Sequence, residues 1–337
     1  MLDLSTLAVP IVGAPMAGGP STPQLTAAIS AAGGIGILAG AYLSPDALRA
    51  QIANVRARTD RPFGVNLFVP EEIPFDGEGF LRFREKLAPL AERYGVALPD
   101  MVEYTDDGFD AKVAVLLDEQ VAAVSFTFGV PAPDILAAFT DRGVATITTI
   151  TGPLEAQIAV DAGTTILCAQ GFEAGGHRST FHIQNDDREI SLAHLLPTVL
   201  GLGVPVIGAG GVGGVDDVRA ILAAGAVAAQ VGTLFLRTPE AGTRSAHRAA
   251  LADPQFTHTR TTRAYSGRLA RGLVNQYIDD FTDVAPPIYP QINTLTGPLR
   301  KAAADDPQVI NLWAGTGWRG AHEISATDVV AALDPAR

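Results

Sequence analysis

Residues 204–233 read VPVIGAGGVGGVDDVRAILAAGAVAAQVGT, and this stretch decides the fold. Val204–Gly208 is an apolar run without polar alternation, so a strand there is buried on both faces, as in a parallel sheet. A glycine turn follows, then a helix-like stretch over Val215–Ala224 and a stop at Gly225. Val227–Val231 repeats the apolar run. Strand, crossover helix and parallel strand within about 30 residues make one β-α-β unit.

The same unit recurs outward in the chain. Apolar runs lie at Val9–Ala14, Ile35–Ala39, Phe63–Phe68, Val121–Phe126, Val144–Thr148 and Thr164–Cys168. Helix-like stretches lie at Pro23–Ala32, Pro45–Arg58, Phe109–Glu119, Pro131–Arg142, Gly152–Ala162, Ser191–Leu200 and Pro239–Ala250. Eight such units predict an α/β chain folded as a closed (β/α)8 TIM barrel, because an open doubly wound sheet usually needs fewer. Two segments break the rhythm. Residues 70–108 follow the third strand, carry a charged helical piece over Gly79–Tyr94, and are expected to form an insertion or lid. Residues 251–337 are expected to be a C-terminal extension that packs on or caps a barrel spanning 1–250.

Composition narrows the function classes. The chain has 337 residues, 47% hydrophobic and 18% charged, enough for a large core. Gly, Pro or charge interrupts every apolar stretch before it reaches a membrane-spanning length. The start, MLDLSTLAVP, lacks a basic segment followed by an apolar one, so no secretory signal is expected. Net charge is −12 and the basic residues do not cluster, which argues against nucleic acid or an anionic membrane as partner. A single cysteine, Cys168, excludes an intrachain disulfide and suits a reducing cytoplasm. It sits in an apolar run and is expected to act as a small buried hydrophobe.

In such barrels, chemistry gathers where strands end. After the first strand, Ala14, Met16 and neighbouring small residues let a planar ligand lie against backbone. Asn66 puts a polar amide at the end of an apolar strand, where a ring edge with donors and acceptors would satisfy it. Gly210 and Gly211 end the seventh strand, and Gln230, Val231, Gly232 and Thr233 end the eighth. Two late glycine turns and a nearby helix N-terminus form the usual phosphate site of this fold. Without a GxGxxG fingerprint after the first strand, they point to a single phosphate, as on FMN, rather than a dinucleotide. The decapeptide AQGFEAGGHR at 169–178 then sets Gln170 and a titratable His177 at the same edge, among Gly171, Gly175 and Gly176. His182 has no third ligand at suitable spacing, so no metal is expected. His194, His247 and His322 are expected on helix surfaces, and His258 in a solvated loop.

Several segments together resemble the nitronate monooxygenases, formerly called 2-nitropropane dioxygenases, and within them class I. They are APMAGGPSTPQL (14–25), GGIGILAGAYLSP (33–45), PFGVNLF (62–68), AQGFEAGGHR (169–178), PVIGAGGVGG (205–214) and QVGTLFLRTPE (230–240). TRAYSGRLARG (262–272) and NLWAGTG (311–317) are similar too. The resemblance implies a TIM barrel that holds FMN without a covalent bond, contacted by Asn66, Gln170, Gly175, Gly211 and Gln230 to Thr233, with Met16 near the isoalloxazine ring. It implies that His177 is the catalytic histidine. It implies detoxifying, oxidative denitrification of alkyl nitronates, propionate 3-nitronate above all, with O2 as co-substrate and a carbonyl compound plus nitrite or nitrate as products. Tyr265 and Tyr289 in the extension, with Arg263, are expected to help close the substrate pocket. Two rivals share the glycine pattern: an NAD(P)H-dependent FMN reductase of quinones or enoyl thioesters, and a non-catalytic flavin-binding protein. Self-association into a homo-oligomer stays open.

Overall fold

The computed structural model describes residues 1–185 and 189–337. Its eight-stranded sheet contains β1 (Ile11–Gly13), β2 (Ile37–Ala39), β3 (Gly64–Phe68), β4 (Ala123–Thr127), β5 (Ala145–Ile150), β6 (Ile166–Gln170), β8 (Val206–Ala209) and β9 (Ala228–Val231). A separate three-stranded sheet contains β7 (Gly176–His177), β10 (Thr259–Thr262) and β11 (Ala270–Leu273). All pairings in the large sheet are parallel, in the order β1-β9-β8-β6-β5-β4-β3-β2. A bridge from Val12 to Ile35 closes the ring, with Gly13 N–H on Ile35 O at 2.8 Å and Ile35 N–H on Ile11 O at 3.0 Å. This is the (β/α)8 barrel that the alternating runs predict.

The helices are α1 (Pro23–Ala31), α2 (Pro45–Arg56), α3 (Gly77–Arg93), α4 (Phe109–Glu119), α5 (Pro133–Thr140), α6 (Pro153–Asp161), α7 (Leu192–Val199), α8 (Val215–Ala223), α9 (Ser245–Ala250), α10 (Gln276–Phe281), α11 (Gln291–Ala302) and α12 (Ala326–Ala332). Proline occupies the first turn of α1, α2, α5 and α6, where its missing N–H is no loss. Thr22 and Ser44 cap α1 and α2 by accepting the N–H of Leu25 and Ala47. The helix expected over Pro239–Ala250 is shorter: Thr233–Phe235 forms a 3-10 turn, and α9 begins only at Ser245.

Inside the ring, Val12, Ile37, Ile147, Cys168 and Ile207 pack a dry plug. Burial pushes the Cys168 thiol up to about 12, so it carries no thiolate at neutral pH. A second apolar core lies outside the barrel. Phe80, Phe83 and Leu87 of α3 meet Tyr265, Tyr277, Ile292, Leu295 and Leu299 from beyond residue 251. Arg268, 1% exposed, pairs with Glu71 and so ties the two segments by charge as well. The chain then returns to the barrel: α12 lies on α1, and Val329 and Val330 share a core with Leu25 and Ile29.

Phe83 is buried in the shared core. Phe83→Ala is expected to lower unfolding stability by about 3–5 kcal/mol, as for other buried aromatics. Urea unfolding measures it, and a loss below about 1 kcal/mol would mean that the 70–108 segment packs loosely on its partner.

Candidate active site

The strand ends open into a cavity of about 520 Å³, within the range of small-molecule and cofactor sites. Ala14, Met16, Gln170, Gly175, Gly176, His177, Gly210, Gly211, Gln230, Val231, Gly232 and Thr233 all line it. Three other sequence-predicted residues stand elsewhere. Asn66 is 1% exposed and its Nδ2 donates to Ser125 and Thr127, so it is Thr127 that reaches the wall. The Tyr265 ring stacks on Tyr277, and its hydroxyl donates to Asn275 and Ile310 O behind Trp313. Tyr289 lines a smaller adjoining pocket, with its hydroxyl 3.2 Å from that of Tyr42, which belongs to both.

One side of the cavity is a cradle of backbone. Gly210 and Gly211 have φ of 116° and 78°, which only glycine adopts without strain. Among the described residues, the N–H groups of Gly211, Val212, Gly232 and Thr233 donate to no atom of the chain. Thr233 Oγ1 accepts the Gly315 N–H at 3.0 Å, which leaves its own O–H free to donate. Four open N–H groups and one hydroxyl at a glycine-lined rim are the donors that a single phosphoryl group requires. The α8 N-terminus does not join them, because Asp217 Oδ2 takes the N–H of Gly213 and Gly214 at 2.8 and 3.1 Å.

The cradle is completed by residues 313–317, from well beyond the barrel strands. A Cβ on Gly175 would lie 2.4 Å from Gly315 N, and one on Gly317 would lie 2.5 Å from Val212 C. Neither side chain is possible without separating the loops.

The imidazole stands opposite. His177 is held by short antiparallel pairing of β7 with β11, His177 facing Ala270. Gln170 clips the same loop, with Nε2 donating to His177 O at 3.0 Å and Oε1 accepting Ser179 N–H at 2.9 Å. Both ends of this amide are therefore engaged with the histidine loop. His177 Nε2 lies 2.8 Å from Ser266 Oγ, which itself donates to Arg268 O at 3.2 Å. Ser266 thus accepts from Nε2–H, and the lone pair falls on Nδ1. Phe128, Tyr289 and Trp313 surround the ring at centroid distances of 5.7, 6.1 and 5.8 Å. Burial first, then the charges of Arg268 and Arg300, push the imidazolium pKa down to about 3. His177 is accordingly a neutral acceptor at physiological pH.

His247 is not the surface residue expected from its helix-like segment. It is 7% exposed, lines the cavity, and its Nε2 lies 3.0 Å from Trp313 O. Ser266, Trp313, Arg244, Arg300 and Lys301 also line the cavity without having been singled out individually by spacing or pattern. Ser266 and Trp313 do fall inside the segments TRAYSGRLARG and NLWAGTG, which carry the resemblance.

Fold and cavity define an α/β barrel with open backbone N–H groups at its strand ends beside a neutral histidine. The nitronate monooxygenase family profile matches residues 1–335. A nitronate monooxygenase of Pseudomonas aeruginosa is 36% identical over 333 residues, covering 96% of this chain and 95% of that protein. The structure of a nitroalkane oxidase from Streptomyces ansochromogenes superposes with a TM-score of 0.95 at 44% identity, covering 98% of this chain and 96% of the other. FabK of Thermotoga maritima, at a TM-score of 0.76 and 24% identity over 98% of this chain and 93% of its own, shares the fold. The chain belongs to the nitronate monooxygenase family and is an oxidoreductase.

Burial also lowers the His247 pKa, to about 4. Because the folded value lies below the unfolded one near 6.5, its stability contribution is full above pH 6.5 and is lost as pH falls toward 4. Between pH 7 and pH 5 the wild type is expected to lose about 1–2 kcal/mol more than His247→Gln. Urea unfolding at the two pH values checks the difference, and equal losses would refute a buried neutral His247.

Proposed function

We propose that the cavity holds FMN and that the enzyme oxidatively denitrifies alkyl nitronates with O2, releasing a carbonyl compound with nitrite or nitrate. The observation that carries this reading is one cavity with open phosphoryl donors on one side and the neutral His177 on the other. Gly211, Val212, Gly232 and Thr233 would hold the phosphate, and Ala14 and Met16 would lie along the ring system. Bound flavin would supply the electron chemistry, which no side chain here can perform.

The protein contributes position and charge. Nitronates are planar anions with no N–H or O–H to donate, so an uncharged histidine with Nδ1 free serves the neutral nitroalkane, whose α-proton it can take. Ser266 fixes the tautomer that frees Nδ1, and Gln170 fixes the loop. The aromatic rings around the imidazole exclude water.

Purified protein is expected to show flavin absorption in the visible, bleached when a nitronate is added without oxygen. Colourless protein that takes up no FMN would end the cofactor reading. His177→Asn should stay yellow while kcat/KM for nitronate falls by about 100-fold or more, the usual weight of a positioned acid-base group. Unchanged turnover in that variant would remove the role assigned to His177.

A further inference from the structure

His247 is a buried titratable side chain that the proposed reaction leaves unused. It belongs to α9, is 7% exposed, and lines the cavity. Its Nε2 stands 3.0 Å from Trp313 O, and a carbonyl oxygen only accepts, so Nε2 carries the hydrogen. Burial keeps the ring neutral at physiological pH. Nδ1 therefore holds a lone pair and no hydrogen. Among the described residues no group donates to it. Nor is it enclosed by protein atoms; it opens to the cavity that His247 lines. A largely buried ring nitrogen left without a donor in its own chain is a place kept for one from outside.

The contacts of His247 tie it to both ends of the cradle side. Trp313, whose carbonyl holds the imidazole, is two residues before Gly315, whose N–H bonds Thr233 Oγ1 at 3.0 Å. Thr233 is one of the phosphoryl donors, and the chain runs on from it along the cavity wall at Leu236 and Gly242 into α9. On the other side, Met16 packs against the same apolar cluster as Ala246, the residue before His247. The lone pair thus belongs neither to the phosphoryl end alone nor to the ring end alone, but to the stretch that joins them.

We propose that His247 Nδ1 accepts a hydroxyl of the polyol chain that links the phosphate of FMN to its ring system. The contact rests on the FMN reading, and it selects a flavin phosphate whose sugar-alcohol chain is intact. A nitronate has no hydrogen to offer this nitrogen, and the oxygens of a phosphate dianion only accept. The imide N–H of a flavin does donate, but it lies on the far edge of the ring from the phosphate. His247 holds Trp313 with one nitrogen and the hydroxyl with the other.

The test is a binding measurement that needs no turnover. Full-length protein is stripped of flavin and titrated with FMN and with phosphopentyl flavin, which keeps the imide N–H but has hydrogen in place of every chain hydroxyl. His247→Leu is expected to lower the preference for FMN over phosphopentyl flavin by about 3- to 10-fold, the weight of one hydrogen bond. His247→Gln should keep the preference, because one amide can donate to Trp313 O and accept the hydroxyl together. Equal weakening of both ligands by His247→Leu would overturn the contact and reduce His247 to a support for Trp313. Nitrogen NMR of the wild type, with isotope-labelled histidine, reads the same contact without a variant that must fold. FMN should move the His247 Nδ1 resonance upfield, as a ring nitrogen shifts when it accepts a hydrogen bond, and phosphopentyl flavin should leave it in place. An unmoved resonance with FMN, or the same movement with both, would also overturn the contact. Protein that takes up neither flavin would end the cofactor reading and this contact with it, whereas uptake of both without that preference would end the contact alone.

Discussion

Everything at the rim depends on one close approach of backbone to backbone. The loop after β6 meets residues 314–317 at a separation that leaves no space for a Cβ on Gly175. Through that contact Gly315 reaches Thr233, Thr316 N–H reaches Glu173 O, and Gly317 seats against Val212. The same loop continues into His177. One glycine-dependent contact therefore sets the spacing between the open N–H groups of the rim and the imidazole.

The electrostatic character of the site follows from what surrounds it. Burial and two guanidinium groups leave His177 uncharged, while among the described residues no acidic side chain lines the cavity. A positive, low-dielectric recess in an acidic protein concentrates field toward its mouth.

The barrel was legible because its signal is local. Each strand is a short apolar run between glycine and proline punctuation, and eight of them leave little choice of architecture. The glycine turns were legible for the same reason. What the residues alone could not reveal is held by partners distant in sequence. β7 is two residues long and exists only because β11 pairs with it. His247 looked like a surface residue because its contact, Trp313 O, lies 66 positions later. Asn66 Nδ2 donates to Ser125 and Thr127, partners about 60 positions later that its place at a strand end could not reveal. Arg300 gave no signal, since an arginine in the last turn of an amphipathic helix reads as ordinary surface.

The position of α12 has a consequence for how the chain is made. This helix, only five residues from the end of the sequence, lies on α1 and shares its core with Leu25 and Ile29. The outer face of α1 therefore stays uncovered during synthesis until residues 326–332 have left the ribosome, although every strand of the ring lies before residue 232.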